Sequence, residues 1–226
     1  LIKWYISNEQ LFNNWTVFVE VKMAVLLSRK ERDRQLRRSD ILKAAEHLFA
    51  LKGYYKATIR DIAREAQYAS GTVYLHFKDK EALYFALLEE KLKNLLSIVK
   101  GKIGQAKDAR NKIKILVQES LVFFERNQDF FRIFISEDNE LFSERKILKS
   151  STGLQMEKYT TSLLKEAQEE GVVSRDFDVG QLTDVFSSLT KTIILKWLQK
   201  KDGKNDNLCD LSDTILRLFF NGASNK

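Results

Sequence analysis

From residue 40 onward the apolar positions keep a helical period almost to the end of the chain. In "RSDILKAAEHLFALKG" (38–53), Ile41, Ala45, Leu48 and Phe49 share one face, which predicts a helix. Gly53 predicts its stop, because glycine alone takes positive φ cheaply. Thr58, with Asp61 three residues on, predicts a capped second helix burying Ile59, Ile62, Ala63 and Ala66. Gln67-Tyr68-Ala69 is the break. A short third helix, about Ser70 to Phe77, turns Val73 and Phe77 inward, and Asp79 caps a fourth through Leu83, Leu87, Leu88, Leu92, Leu95 and Val99. "GKIGQAKD" (101–108) reads as a loop with two glycines. Further helical patterns cover 112–142, 149–171, 179–200 and 208–220, with "DGKNDN" (202–207) separating the last two. The class is all-α.

Residues 1–27 depart from this regularity. "TVFVEV" (16–21) alternates as a strand does, and polar "SNEQ" and "NN" interrupt any secretory-signal pattern. Ser28 with Glu31 fits a capping box, so regular order is expected to begin at Ser28, after a weakly ordered extension. One reading makes Met23 the biological start and residues 1–22 translated upstream sequence. The expected organisation is an extension (1–27), a compact head (28–80) and a larger helical part (81–226).

Composition narrows the chemistry. There is no proline and there are 9 glycines, which favours long helices with short connections. A single cysteine, Cys209, allows no disulfide within the chain and fits a reducing cytoplasm. Two histidines and one cysteine without metal-ligand spacing argue against a zinc site, and "SEDNE" (136–140) lacks the glycine and spacing of a calcium loop. No metal or cofactor is expected. No run of 18 apolar residues exists, so no membrane span is expected. No Ser/His/Asp or Cys/His set appears, which argues against an enzyme. The net charge of +7 is concentrated: residues 28–80 hold 13 Lys and Arg against 7 Asp and Glu, and residues 81–226 hold 23 against 22. Such a patch suits a polyanion, or it is a solvated basic surface.

Two short helices, a three-residue turn and small residues at the crossing make a helix-turn-helix. The second helix of such a unit enters the DNA major groove, and flanking groups hold phosphates. The basic turns from Arg29 to Arg38 are available for the same purpose.

"ILKAAEHLFALKGYYKATIRDIAREAQYASGTVYLHFKDKEALYFALLEEKL" (41–92) resembles the DNA-binding region of the TetR family of bacterial transcription regulators. The matching pieces are the AA…LF…GY run, the T-x-x-x-I-A helix and, above all, "GTVYLHFKDKE". The resemblance implies that Thr58 holds a phosphate, that Ser70, Gly71, Thr72, Tyr74 and Leu75 face the groove, and that Tyr74, His76 and Lys80 contact phosphates. Each has a structural alternative: Tyr74 and His76 as packing side chains, Lys80 as a surface lysine, Thr58 as a helix cap. The chain departs from the family in the turn, where Gly-Val-Ser is common and Gln67-Tyr68-Ala69 stands here. A non-glycine residue there costs about 1–2 kcal/mol. Tyr68 would set a ring beside the groove.

The resemblance further implies a ligand-sensing and dimer-forming C-terminal domain, with the last two helices pairing across a two-fold axis. Candidates for that seam are Leu182, Phe186, Leu189, Ile193, Trp197, Leu211, Ile215 and Leu218; the alternative is that they fill the monomer core. Candidates for an apolar ligand cavity are Phe123, Phe124, Phe134, Met156, Tyr159 and Phe186, which equally suit plain core. The expected function is a cytoplasmic homodimeric repressor. It would bind double-stranded DNA at a palindromic operator and be released by a small apolar or amphipathic effector. Rivals are a DNA organiser without a ligand, a helical enzyme and a protein-interaction adaptor.

Overall fold

The computed structural model describes residues 2–132, 151–200 and 207–223, and among these there is no strand. The described helices are α1 (Ile2–Lys56), α2 (Ile59–Glu65), α3 (Ser70–His76), α4 (Lys80–Ile103) and α5 (Ala109–Arg126). They are followed by α6 (Gln128–Arg132), α7 (Ser151–Glu169), α8 (Val179–Gln199), a 3-10 turn (Leu208–Leu211) and α9 (Ser212–Ala223). Phe134, "SEDNE" (136–140) and most of "DGKNDN" lie outside the described residues.

Three expectations are corrected. The backbone of 16–21 is helical, within an α1 that begins at Ile2. No glycine or proline precedes Gly53, and propagating an existing helix needs only one hydrogen bond per residue fixed, so the alternating pattern does not prevail. Ser28 is therefore an interior helical residue and caps nothing; its carbonyl accepts from the Arg32 guanidinium, 3.3 Å. Gly101 is helical too, because α4 continues to Ile103 and ends at Gly104.

The break at Gly53 is where the sequence puts it. Its φ of 76° and ψ of 163° lie in a region essentially reserved for glycine, and the chain then turns through Tyr54–Lys56 toward α2. Thr58 and Asp61 form the expected capping box. The end of α2 is a Schellman motif: Tyr68 N–H donates to Ala63 O, 2.8 Å, and Gln67 N–H to Arg64 O, 3.1 Å. Gln67 holds the left-handed position there, φ 60°, at the cost foreseen for a non-glycine residue.

One continuous set of buried side chains runs from Ile41 through Val73, Tyr84 and Leu121 to Phe220. In the head, Ile41, Leu42, Ala45, Leu48, Phe49, Ile62, Ala63, Val73 and Phe77 are buried. α4 packs against α1 on one side and against α5 and α7 on the other, so it belongs to both parts of the chain. Tyr84 on α4 marks the join. Its hydroxyl donates to Phe130 O, 2.8 Å, and its ring stacks on Phe130 with centroids 4.7 Å apart. The same ring meets Phe49 and Tyr54 edge-on at 5.5 and 5.4 Å. Farther on, Glu125 of α5 accepts from Leu208 N–H, 3.0 Å, and from the Cys209 thiol, 3.1 Å. That carboxylate fixes the 3-10 turn in front of α9. Burial first, then the Glu125 hydrogen bond, pushes the thiol up to about 11.

Candidate nucleic-acid interface

The outward face of α3 follows from its composition. Val73 is fully buried and Phe77 nearly so, which fixes the helix rotation and turns Gly71, Tyr74 and Leu75 to solvent. Tyr74 is 56% and Leu75 79% exposed, a large apolar area that the fold itself leaves uncovered. A Cβ at Gly71 would meet nothing within 4 Å, so the fold does not require glycine there. Ser70 and Thr72 are half-buried, and among the described residues no hydrogen bond engages the side-chain hydroxyls of Ser70, Thr72 or Tyr74.

The flank of α3 is electropositive. His76 is half-buried, and its pKa is lowered below the ordinary 6.5, first by burial and then by the charges of Arg34, Arg38 and Arg37. Those arginines therefore stand close to the end of α3. Arg38 is partly neutralised by Glu90, 2.8 Å away, and lies over the Phe77 ring at 5.3 Å. Arg34 and Arg37 are exposed. The i, i+3, i+4 spacing of Arg34, Arg37 and Arg38 was the signal available in the sequence for a single basic face.

Three predicted contact residues are engaged within the protein. The Thr58 hydroxyl donates to Asp61 Oδ2, 2.8 Å, and accepts from Asp61 N–H, 3.1 Å; the hydroxyl donation, followed by the Thr58 backbone N–H donating to the same carboxylate oxygen at 3.3 Å, leads the causes that hold the Asp61 carboxyl below its ordinary value. The Tyr68 hydroxyl donates to Asp40 Oδ2 on α1, 3.1 Å, so this ring ties the turn to α1. The Lys80 ammonium donates to the carbonyls of Tyr54, Ala57 and Tyr55 at 2.7, 3.0 and 3.3 Å.

The candidate ligand residues fall into separate groups. Phe123 and Phe124 meet edge-on at 5.8 Å, and both touch Phe131, at 5.9 and 4.4 Å. Phe186 packs on Phe219 at 4.9 Å, toward α9. The Tyr159 ring carries the Lys100 ammonium at 5.2 Å, and Met156 is partly buried on the same helix. Thr152, fully buried, donates to the half-buried Glu89 of α4, a long-range polar contact that no local pattern announces. Of the seam candidates, Leu182, Phe186, Trp197 and Ile215 are internal, whereas Leu189, Ile193 and Leu211 are half-buried and Leu218 is exposed. Val185, 60% exposed, joins Leu189 and Ile193 at i, i+4, i+8 on one face of α8.

Among the described residues no group of three or more metal-ligating side chains occurs, and no helix is long and apolar enough to cross a membrane.

Residues 41–87 match the model of the family described as "Bacterial regulatory proteins, tetR family". The Fatty acid metabolism regulator protein of Bacillus subtilis (strain 168) is 26% identical over 188 residues, which cover 82% of this chain and 95% of that protein. The solved structure of the transcriptional regulator FadR from Bacillus subtilis in complex with stearoyl-CoA aligns with a TM-score of 0.69 at 22% identity, covering 81% of this chain and 98% of that one. Thermus thermophilus FadR, a TetR family transcriptional repressor solved in complex with lauroyl-CoA, aligns with a TM-score of 0.66 at 21% identity, covering 84% and 96%. At these identities the two structures establish a shared fold.

Proposed function

Because this chain belongs to the TetR family of bacterial transcription regulators, we propose that it is a homodimeric repressor whose α3 reads a palindromic operator and whose DNA affinity falls when a long-chain acyl-CoA binds. The observation that carries this reading is the outward face of α3. Gly71, Tyr74 and Leu75 are presented to solvent beside Arg34 and Arg37, on a helix short enough to lie across a major groove. Residues 28–80 act as the DNA head and residues 81–226 as the sensing and dimer-forming part. The protein has no catalytic role and works in the cytoplasm.

Pairing is assigned to Val185, Leu189 and Ile193 of α8 with Leu211 of the 3-10 turn and Leu218 of α9, an apolar strip on adjoining elements that a two-fold axis would cover. The acyl chain is assigned to the aromatic core around Phe123 and Phe124, with Phe134, Met156, Tyr159 and Phe186 as the other lining candidates. The relatives' fatty-acid and acyl-CoA associations support that class of effector.

A path from that core to the head is available in named contacts. Phe124 touches Phe131, Phe131 touches Phe130 at 5.3 Å, and Phe130 stacks on Tyr84, which meets Phe49 and Tyr54. Lys91, 12% exposed, runs beside it, donating to Glu46 of α1 at 2.6 Å and to Asn127 at 2.8 Å. An effector that displaces α6 shifts this packing and with it the spacing of the two α3 helices. A coupling of about 1–3 kcal/mol lowers DNA affinity about 5–150-fold.

The test is selection of bound duplexes from a random pool, followed by titration of the complex with stearoyl-CoA and lauroyl-CoA. The reading predicts an enriched palindrome and a loss of affinity in that range. Unchanged affinity at saturating acyl-CoA would replace the ligand-responsive repressor by a DNA organiser without an effector. Failure to enrich any duplex would remove the DNA-binding reading.

A further inference from the structure

The turn between α3 and α4 carries two lysines, Lys78 and Lys80, in very different settings. An ammonium has three N–H donors and no acceptor. At Lys80 all three are directed at backbone carbonyls: Tyr54 at 2.7 Å, Ala57 at 3.0 Å and Tyr55 at 3.3 Å. The Tyr54 ring covers the same ammonium, with its centroid 4.3 Å away. These carbonyls belong to the segment leaving α1 after the Gly53 break, where helix-ending carbonyls lack intrahelical partners. Tyr54 and Ala57 are themselves buried, so water is a poor substitute. Burial lowers the Lys80 pKa, in keeping with a cation withdrawn from solvent. Lys78 is the opposite case. It directly follows Phe77, the C-cap of α3; its side chain is exposed, and among the described residues no ion pair or hydrogen bond holds its ammonium.

Resting on the DNA-binding reading above, we propose a division of labour between them. Lys80 is a positioning residue that ties the α1–α2 connection to the first residue of α4, and Lys78 is the lysine of this turn that neutralises a DNA phosphate. Lys80 acts through the backbone it holds. The Tyr54–Ala57 segment leads directly into Thr58, the N-cap of α2, so the tie sets where α2 starts and hence where α3 lies relative to α4. A phosphate oxygen could recruit Lys80 only by displacing one of three carbonyls already hydrogen-bonded. Lys78 meets a phosphate with nothing to displace.

Salt dependence separates the two roles, because each neutralised phosphate contributes about −0.9 to the slope of log affinity against log salt. Duplex binding is measured from low to moderate salt for the wild type, Lys78→Gln, Lys80→Met and Lys80→Gln. The expected result for Lys78→Gln is a slope shallower by about 0.9 and weaker binding to every duplex alike. The Lys80 variants are expected to bind several-fold more weakly with the wild-type slope. A slope shallower by the same amount in a Lys80 variant, or an unchanged slope in Lys78→Gln, overturns the assignment.

A second measurement needs no variant. Trace acetylation of the wild-type protein, read by mass spectrometry, is expected to modify Lys78 freely and to spare Lys80. Added duplex is expected to protect Lys78 and leave Lys80 unchanged. Ready modification of Lys80 in the free protein, lost on adding duplex, overturns the proposal. If the wild type bound no duplex, the repressor reading would fail and the Lys78 assignment with it, while the reactivity of Lys80 in the free protein would still decide the tie.

Discussion

Gly71→Ala separates what the fold needs from what DNA needs. Gly71 sits in the first turn of α3 with helical neighbours, and a Cβ there would meet nothing within 4 Å. Alanine is therefore sterically free, and replacing a helical glycine by alanine stabilises by about 0.5–1 kcal/mol. For a chain of this size, 1 kcal/mol raises Tm by about 2–4 °C, so the variant should melt about 1–4 °C higher. DNA binding should move the other way. The added methyl occupies the surface by which α3 approaches the groove, and hydrogen bonds weaken steeply once donor and acceptor separate beyond their normal range. Losing one good base contact costs about 1–3 kcal/mol, roughly 5–150-fold in affinity. Thermal melting and fluorescence anisotropy on the selected operator measure both quantities on the same preparation. A variant that melts higher and binds as tightly as the wild type would show that Gly71 does not face the duplex. One that melts lower would show that the space read at Gly71 is not there.

Three more outcomes follow from the same structure. His76 is held below the ordinary 6.5 by burial and by Arg34, Arg38 and Arg37. As pH falls below 6.5 the unfolded chain takes up this proton first, so the stability contribution declines on acidification until the folded pKa is passed; denaturant titrations at two pH values should show this loss reduced in His76→Gln, and an identical loss in both proteins would refute it. Lys91→Met removes the bonds to Glu46 and Asn127 and should cost about 1–2 kcal/mol after allowing for the exposure of Glu46, while shrinking the acyl-CoA effect on operator binding; an undiminished effect would take Lys91 off the path. Leu218→Glu, at a side chain 59% exposed in the single chain, should move the sedimenting species to the 26.3 kDa monomer and weaken operator binding, and a species still dimeric at micromolar concentration would exclude this seam.

The head was legible because its signals are local. Thr58 and Asp61 sit three apart, Gly53 marks the break, and Val73 with Phe77 sets the rotation of α3. Even the αL residue at Gln67 is readable as a departure from the usual glycine. What escaped depends on distant parts of the chain. Lys80 reaches carbonyls 23 to 26 residues upstream, and Lys91 bonds Glu46, 45 residues away. Tyr68 is a turn residue by sequence, yet its hydroxyl is used by Asp40 on α1. The division of the seam candidates also required tertiary structure: Leu211, Ile215 and Leu218 belong to one apolar pattern, and only packing against the other helices decides that Ile215 is internal and Leu218 outside. The N-terminal segment failed for a different reason. A six-residue alternation is a weak preference beside an uninterrupted helix on its C-terminal side.

The central claim is that the outward face of α3 lies in the major groove of the operator, once per half-site. Leu75, 79% exposed, is the place to probe it. The chain has one other thiol, Cys209, whose pKa of about 11 leaves it poorly reactive near neutral pH, so a Leu75→Cys variant can be labelled selectively with an iron-chelate cleavage reagent. On the selected operator, strand scission should be confined to two windows related by its dyad and separated by one or two helical turns. Scission spread evenly along a duplex that the labelled protein still binds would place α3 away from the groove and contradict the account.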